Sequence, residues 1–342
     1  MIIVMEQGAT EEQVEQVIGK LDSLGFSVHR STGVVHTVLG AVGPAELVDP
    51  NEFNVMEGVK QCRREMSPYK LSSRGFKPEG TVVRFKRERA GYVEIGGSEV
   101  VLMAGPSSVE SEHQLTRTAE LAARAGARFL RAGAHPSESA LNGQRGLDAE
   151  GIKMVRRVAD LFGLFVVAEI SDPSRIPELE EQADLLQVSS ANMQNHLLLH
   201  ALGKCARPVL LKRGIAATVE ELLVSADHVL AGGNYNVILC ERGIRTFETF
   251  SRHTMDIAAI PAVHKLSHLP ILADPSRATG RRDMAIPMAR AAIAAGADGL
   301  LLEVHSDPDH AASEGAQAVR PEQFSELAAQ LKLIAPAVGR SM

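Results

Sequence analysis

The sequence predicts an α/β protein in which a (β/α)8 (TIM) barrel follows a small ferredoxin-like α+β domain. Eight short apolar runs between Val100 and Leu302 alternate with helical segments. Together they fill about 240 residues, the usual size of such a barrel. Residues 1–70 instead show the order β-α-β-β-α-β of the ferredoxin-like unit. We assign residues 71–98 to a linker and residues 99–340 to the barrel.

The first domain is predicted from local signals. Met1 to Met5 form a β-type run, and Thr10 is a helix N-cap that is followed by acidic residues in the first turn. Apolar runs on either side of Ser31-Thr32-Gly33 indicate a β-hairpin. Units of this kind commonly bind regulatory ligands or pair subunits, and a purely structural appendage is the alternative.

Composition excludes several classes of protein. A net charge of −6 without a basic block argues against nucleic-acid binding. The three cysteines, Cys62, Cys205 and Cys240, have no paired spacing, so we expect neither disulfides nor a thiolate zinc site. The N-terminal stretch is neither a signal peptide nor long enough to span a bilayer. We therefore expect a cytoplasmic protein that binds neither nucleic acid nor membranes.

Charged and polar residues stand where the predicted barrel strands end. A doubly wound open sheet is the alternative for this region, but no G-x-G-x-x-G follows an early strand. Barrel active sites form at the carboxyl ends of the strands, so residues there are candidates for function. In chain order these ends are residues 104–107, 131–133, Glu169, 189–190, 212–214, 241–243, 274–277 and 303–305.

The strand end at residues 237–246 is the most informative one. A buried apolar run ends there in Glu241, Arg242 and Gly243, and arginine offers a planar fork of donors to a phosphate or carboxylate. The alternative is a surface loop with an ion pair. Together with Arg131 and Lys212, this site would bind a small anionic, phosphorylated substrate, and Arg281 and Arg282 are further candidate ligands. Candidate acids and proton carriers, some of which could instead be structural ion pairs, are Glu169, Glu241, Asp274, Glu303, Glu314, His135 and His305.

The chain resembles a known family from Met1 to about Ile334. The resemblance rests on the motifs MAGPSSVES, FLRAG, VLLKRG, ILCERGIRTFE and SHLPILADPS. They are similar to those of the 3-deoxy-D-arabino-heptulosonate 7-phosphate (DAHP) synthases, in the type Iβ group with an N-terminal ferredoxin-like regulatory domain. The resemblance implies condensation of phosphoenolpyruvate with erythrose 4-phosphate on a divalent metal, as the first step of the shikimate pathway.

The metal ligands of this family are changed in the sequence. The resemblance places the family's Cys, His, Glu and Asp at Ser107, Arg277, Glu303 and Glu314, so only Glu303 matches. A hydroxyl is a poorer ligand than a thiolate, and arginine cannot ligate a metal. We therefore expect no divalent metal and no other cofactor. We expect Arg277 to fill the place of the ion, held by Glu303 and Glu314.

Several of the family's substrate-binding residues are changed in this sequence as well. The family's Lys-Pro-Arg-Thr is replaced by His135-Pro-Ser-Glu-Ser139, in which Glu138 reverses a charge, and its Gly-Ala-Arg-Asn is replaced by Ser189-Ser-Ala-Asn192. Half of an anion pocket remains. The family residues that are retained there are Arg131, Glu169, Lys212, Arg242 and Asp274.

Three functions follow from this pattern, in order of preference. The first is a repurposed, metal-independent enzyme for an anionic phosphorylated, enolpyruvyl or carboxylate compound related to shikimate or aromatic metabolism. There, Arg277 would join the anion ligands, and His135 and Glu138 would be new acid/base groups. The second is a non-catalytic regulatory relative that pairs with a pathway enzyme. The third is an authentic DAHP synthase.

The resemblance also predicts partners. His29 and Ser31 stand at the positions of the family's effector-binding His-x-Ser, which implies an aromatic amino acid as effector. The alternative is that they cap the strand turn. Family members assemble from several copies, so we expect a homo-oligomer, either a dimer or a tetramer.

Overall fold

The computed structural model describes residues 1–32, 36–44, 48–64, 68–133 and 149–342. The chain divides into two compact units. The first comprises Met1–Thr81 and Lys265–His268, and the second comprises Val82–His264 and Leu269–Met342.

The first unit is built on a four-stranded antiparallel sheet. In sheet order its strands are β2 (Ser27–Thr32), β3 (Thr37–Val42), β1 (Ile2–Met5) and β4 (Val59–Arg63). This is the ferredoxin-like arrangement that the sequence predicts, with β1 in the interior and β2 and β4 at the edges. The elements are β1 (Ile2–Met5), α1 (Glu11–Ser23), β2 (Ser27–Thr32), β3 (Thr37–Val42), α2 (Asn51–Asn54) and β4 (Val59–Arg63).

Helix α1 covers one face of this sheet. Thr10 forms the predicted N-cap within a full capping box, because its side chain accepts from the Gln13 amide while the Gln13 side chain accepts from the Thr10 amide. Val14, Val17 and Leu21 lie on the buried face of the helix and pack into the core of the unit. The helical period of the sequence therefore places the core as expected.

The second unit is a closed barrel of eight parallel strands, as predicted. Each strand pairs with the next along the chain, and the last pairs with the first. The helices lie between the strands in sequence, and no helix of the described part of the chain is long and apolar enough to cross a membrane. The strands are β7 (Val101–Gly105), β8 (Phe129–Ala132), β9 (Phe165–Ile170), β10 (Leu185–Val188), β11 (Val209–Lys212), β12 (Val237–Glu241), β13 (Ile271–Ala273) and β14 (Gly299–Glu303). The helices are α3 (Glu112–Arg124), α4 (Ala149–Leu161), α5 (Ile176–Gln182), α6 (His196–Leu202), α7 (Val219–Leu230), α8 (Ala259–Leu266), α9 (Pro275–Thr279), α10 (Arg282–Ala294) and α11 (Pro321–Ala337).

A β-hairpin precedes the barrel, within the range that we expected to be a linker. Strands β5 (Val83–Arg87) and β6 (Gly91–Ile95) pair antiparallel. Phe85 packs edge-on against Phe129 of the barrel, with ring centroids 4.9 Å apart. The linker prediction missed this hairpin because its outward residues are charged, while alternate apolar residues face the barrel core.

A buried carboxylate joins the hairpin to the barrel. Asp184 is 5% exposed and accepts from Arg87 at 2.8 Å, from Arg156 of α4 at 2.7 Å and from the Val166 amide of β9 at 2.7 Å. A buried carboxylate is stable only when such partners replace its water, so this group connects three elements.

Replacing Asp184 with alanine should destabilise the protein by about 3–5 kcal/mol, because two cations would lose their shared partner inside the protein. The change is measured by urea unfolding at pH 7. Glu112→Ala is the matched control, since Glu112 pairs with Arg157 at 3.7 Å on the exposed surface. It should shift the free energy of unfolding by less than about 1 kcal/mol. Equal losses in the two variants would contradict this role of Asp184.

Candidate active site

A cavity of about 680 Å³ opens at the carboxyl end of the barrel. This is the position expected for a TIM-barrel active site. Among the described residues, its lining is Ser107, Arg131, Gly133, Glu169, Ser171, Gln187, Ser189, Ser190, Ala191, Asn192, Lys212, Ile215, Arg242, Arg252, His253, Arg277 and Glu314.

The cavity brings together much of the predicted site. Two further predicted residues, Asp274 and Glu303, are fully buried and contact lining residues from below. His135 and Glu138 lie outside the described residues. The predicted residues that line the cavity are Ser107, Arg131, Glu169, Lys212, Arg242, Arg277 and Glu314.

Besides Asp274 and Glu303, three more predicted site residues do not line the cavity. Glu241 is fully buried and accepts from Arg213 at 2.8 Å, so the structural ion pair considered in the sequence analysis is formed. Arg281 is bound by Asp283 at 2.9 Å. His305 lies 3.2 Å from Glu110 through Nε2, while its Nδ1 accepts from the backbone amide two residues on. Each stands at or near a strand end, but a neighbouring partner holds it outside the cavity.

A second cluster forms around Arg277. Its Nε lies 2.7 Å from Glu303, its Nη1 donates to Glu314 at 3.2 Å, and its Nη2 donates to Ser107 at 3.0 Å. Glu303 also accepts from Arg131 at 2.8 Å and from Gln317 at 2.6 Å. These are the ion pairs that the sequence predicts for Arg277.

The acids and arginines of this cluster stabilise each other's ionised forms. Burial alone would raise the pKa of Glu303, but Arg277 and Arg131 lower it to about 2. Glu303 in turn raises the pKa of Arg277 against the opposing effect of burial. Glu314 has a φ of 57°, the left-handed region that a side chain disfavours by about 1–2 kcal/mol. Its two arginine partners, Arg277 and Arg252, hold its carboxylate in this position.

This cluster does not fit a divalent metal. A guanidinium lies among the oxygens that would have to surround the ion, and it cannot ligate. Both oxygens of Glu303 already accept from cationic or amide donors, and Ser107 offers only a hydroxyl. In the part of the chain that is described, no group of three or more His, Cys, Asp and Glu side chains could hold a metal ion. The donor set is that of an ion-pair network.

Arg242 provides an open anion receptor. It is 6% exposed, and its buried Nη1 has no hydrogen-bond partner among the described residues. Burial lowers its pKa, with a smaller opposing effect from Asp274. Gly243 follows with a φ of 87°, and a Cβ there would lie 3.0 Å from the backbone of Ala278. Only glycine fits this turn, which fixes the direction of Arg242.

Lys212 adds a second cation to the receptor. Its Nζ donates to Asp274 at 2.5 Å, and the other oxygen of Asp274 accepts from the Arg277 amide at the start of α9. A buried donor without an acceptor, next to two further cations, is the signature of a site for a small anion.

Five lining residues were not predicted: Ser171, Gln187, Ile215, Arg252 and His253. Gln187 donates to Glu169 at 2.9 Å. Arg252 donates to Glu314 at 2.9 Å, and His253 lies beside it. Gln187 lies within a buried strand, where a polar residue is itself a signal. Arg252 and His253 lie more than ten residues beyond β12, so the strand-end rule could not reach them.

Replacing Arg277 with methionine should destabilise the protein by about 3–5 kcal/mol at pH 7, since Glu303 would keep a buried charge with fewer partners. Without Arg277, the pKa of Glu303 in the folded variant is higher than in the wild type. As the pH falls, Glu303 therefore becomes protonated in the folded variant and no longer carries a buried charge. The difference in the free energy of unfolding between the variant and the wild type should therefore become smaller from pH 7 toward pH 4. Urea unfolding at each pH measures it. Arg281→Met, which removes an exposed pair, is the control. A deficit that does not change with pH would contradict the linkage to Glu303.

Comparisons with known proteins identify the family. The DAHP synthetase I family model matches residues 55–338, and the DAHP synthase ferredoxin-like domain model matches residues 1–64. Phospho-2-dehydro-3-deoxyheptonate aldolase of Thermotoga maritima is 42% identical over 339 residues, which cover 99% of each chain. A 2-dehydro-3-deoxyphosphooctonate aldolase of Acidithiobacillus ferrooxidans is 29% identical over 236 residues, which cover 64% of this chain and 83% of the relative.

Solved structures agree with this relationship. The crystal structure of the Thermotoga maritima DAHP synthase superposes with a TM-score of 0.78 at 41% identity, and the match covers 99% of this chain and 98% of that one. A truncated form of that synthase gives a TM-score of 0.73 at 43% identity over 79% of this chain and 98% of its own. The chain therefore belongs to the DAHP synthetase I family and carries the ferredoxin-like domain of DAHP synthases at its N-terminus.

Proposed function

We propose that this protein catalyses the aldol-type condensation of phosphoenolpyruvate with erythrose 4-phosphate, in which water is consumed and the enol phosphate leaves as inorganic phosphate, to form DAHP. The family assignment supports this reaction over the repurposed chemistry that the sequence analysis placed first, because the similarity to a DAHP synthase extends over nearly the whole chain. It also favours an aldol-type enzyme over the non-catalytic alternative.

The observation that carries the proposal is the unsatisfied donor of Arg242. A buried N–H group without an acceptor costs about 1–3 kcal/mol, and a phosphate or carboxylate oxygen of phosphoenolpyruvate would remove that cost. Lys212 and Arg131 lie in the same cavity, so the ligand would meet a cluster of cations. Their carboxylate partners hold both side chains in place before the substrate arrives.

Other residues act on the reacting groups. Glu169 lines the cavity, and Gln187 orients its carboxylate, so Glu169 is a candidate to carry a proton. Asp274 orients Lys212 rather than contacting the substrate, because it is fully buried and does not line the cavity. The acid/base roles considered for His135 and Glu138 remain predictions from the sequence.

The reaction proceeds without a divalent metal in this proposal, and without any other cofactor. The guanidinium of Arg277 supplies the positive charge beside the reacting carbonyl, as a fixed cation that stabilises developing negative charge. Its pairs with Glu303 and Glu314 keep it in place, and part of the side chain remains open to the cavity. A fixed guanidinium polarises a carbonyl less strongly than a metal ion does, so we expect slower turnover than a metal-dependent relative achieves.

A second candidate keeps phosphoenolpyruvate and changes the aldehyde. Ser189, Ser190 and Asn192 line the cavity where the family resemblance implies an arginine. Hydroxyl and amide groups suit a neutral, hydroxylated acceptor better than a phosphate. This observation favours a repurposed enzyme only in the sense that the aldehyde substrate would differ, while phosphoenolpyruvate would be retained.

The first unit is proposed to bind an aromatic amino acid. His29 is buried and Ser31 is half-buried, two residues apart on β2, so their side chains share one face of the sheet. A dimer or tetramer of identical chains is the assembly we propose, in line with the family resemblance.

The reaction is tested with phosphoenolpyruvate and erythrose 4-phosphate by following the loss of the enolpyruvyl absorbance, with manganese and with excess chelator. We expect turnover that the chelator does not abolish. Arg242→Met should lower kcat/KM by about 10- to 150-fold, because one charged contact is lost. Arg117→Met, which removes an exposed arginine of α3, is the matched control. Turnover that requires manganese would contradict the proposed role of Arg277.

Ser31→Gly should weaken the binding of tyrosine or phenylalanine about two- to tenfold, because a hydroxyl hydrogen bond is lost. Calorimetric titration of the full chain measures the change. Ser27→Gly, at an exposed position of the same strand, controls for the added flexibility of β2. Equal affinities of wild type and Ser31→Gly would rule out this effector site.

A further inference from the structure

The loop after β12 returns to the cavity, where its residues Arg252 and His253 form part of the lining. Ile244 and Thr254 exchange backbone hydrogen bonds at 2.9 and 3.0 Å. The amides of Arg252 and His253 donate to carbonyls at the end of α9, each at 2.9 Å. The backbone of this segment is therefore fixed on both sides, and its two side chains reach the cavity.

His253 has an unusual environment. Its Nδ1 is shielded from solvent and has no hydrogen-bond partner among the described residues. Its ring lines the cavity, which leaves Nε2 as the nitrogen that can meet a ligand. The charged groups that act on the ring are Arg242, Arg252 and Arg245, and all three are cations. No described carboxylate balances them at the ring.

This environment keeps the imidazole neutral. Burial and the three arginines lower the pKa of His253 to about 4. A neutral ring adds no repulsion among the arginines and can still donate one N–H to an anion. When an anion binds there, it offsets the positive field, so the pKa of His253 rises toward its ordinary value.

Arg252 is suited to the same ligand. Its Nη2 donates to Glu314 at 2.9 Å, and its side chain is 40% exposed at the rim. Glu314 also pairs with Arg277, so it neutralises only part of the two guanidinium charges. Arg252 thus has donors left for a second acceptor.

We propose that Arg252 and His253 form a second anion subsite at the rim of the cavity, which holds the phosphate of the aldehyde substrate. The subsite rests on the proposed condensation, which needs a place for two phosphorylated substrates. Arg242, Lys212 and Arg131 serve the enolpyruvyl substrate, while residues 189–192 line the cavity without a cation. Arg252 and His253 supply the donors that those residues lack. His253 takes up a proton when the subsite is filled.

Calorimetric titration of the full chain with erythrose 4-phosphate tests this subsite. The titration is run at pH 6 in two phosphate-free buffers of different ionisation enthalpy, so that proton uptake is measured with affinity. The wild type should take up more protons than His253→Asn, by as much as about 0.75 proton, the protonated fraction at pH 6 of a ring with the ordinary histidine pKa of about 6.5. Arg252→Met should weaken erythrose 4-phosphate about tenfold or more.

Two controls separate the subsite from the rest of the cavity. Phosphoenolpyruvate should bind both variants within about twofold of wild type, which shows that the cavity is intact. His113→Asn, at an exposed position of α3, should behave as wild type in proton uptake. The substrate's own phosphate also titrates near pH 6, and the difference between wild type and His253→Asn removes that contribution.

The outcomes distinguish the subsite from the reaction. Equal proton uptake by wild type and His253→Asn, an unchanged affinity in Arg252→Met, or no binding of erythrose 4-phosphate to the wild type would each overturn the subsite. If the enzyme turns over but proton uptake is equal in wild type and His253→Asn, or the affinity is unchanged in Arg252→Met, the proposed condensation still stands. The expected binding changes without turnover would support the subsite and count against the condensation.

Discussion

A buried ion pair between Arg277 and Glu303 sets the electrostatics of the barrel mouth. Glu303 is fully buried at the end of β14, and a carboxylate there is stable only with cations beside it. Arg277 and Arg131 meet that need, and Arg277 in turn engages Glu314 and Ser107. A cation is thereby fixed at the centre of the site. Because Arg277 pairs with both acids and donates to Ser107, a metal ion would have to displace its guanidinium in order to reach these oxygens.

The rest of the cavity follows from this arrangement. Arg277 and Arg131 are paired within the cluster and Lys212 is paired with Asp274, whereas the buried Nη1 of Arg242 has no partner among the described residues. In the proposed reaction this donor would bind an anionic substrate, next to the paired cations that line the same cavity. The fold is shared with the Thermotoga maritima synthase, so the proposed replacement of a metal by Arg277 would need a change of only a few side chains on the same barrel.

The sequence predicted the fold well and the site in part, for identifiable reasons. The barrel strands are recognisable in the sequence as short apolar runs. Because the carboxyl ends of parallel barrel strands lie together at one end of the barrel, the residues Arg131, Lys212 and Arg242 could be predicted to share one cavity. The same rule misplaced Glu241 and His305, because it cannot show that Arg213 and Glu110 hold these side chains elsewhere. It missed the residues on the loop after β12, since backbone bonds between distant segments bring them back to the cavity. Charged outward residues likewise hid the hairpin before the barrel.

Anomalous diffraction from crystals grown with manganese and phosphoenolpyruvate tests the central claim most directly. The measurement locates manganese without reference to activity, and it shows the position of Arg277 in the same map. We expect no manganese peak among Ser107, Arg277, Glu303 and Glu314, and we expect Arg277 still to lie between the two acids. A manganese peak on Glu303, with the guanidinium displaced from it, would show that the ion pair yields to a metal and would contradict the account.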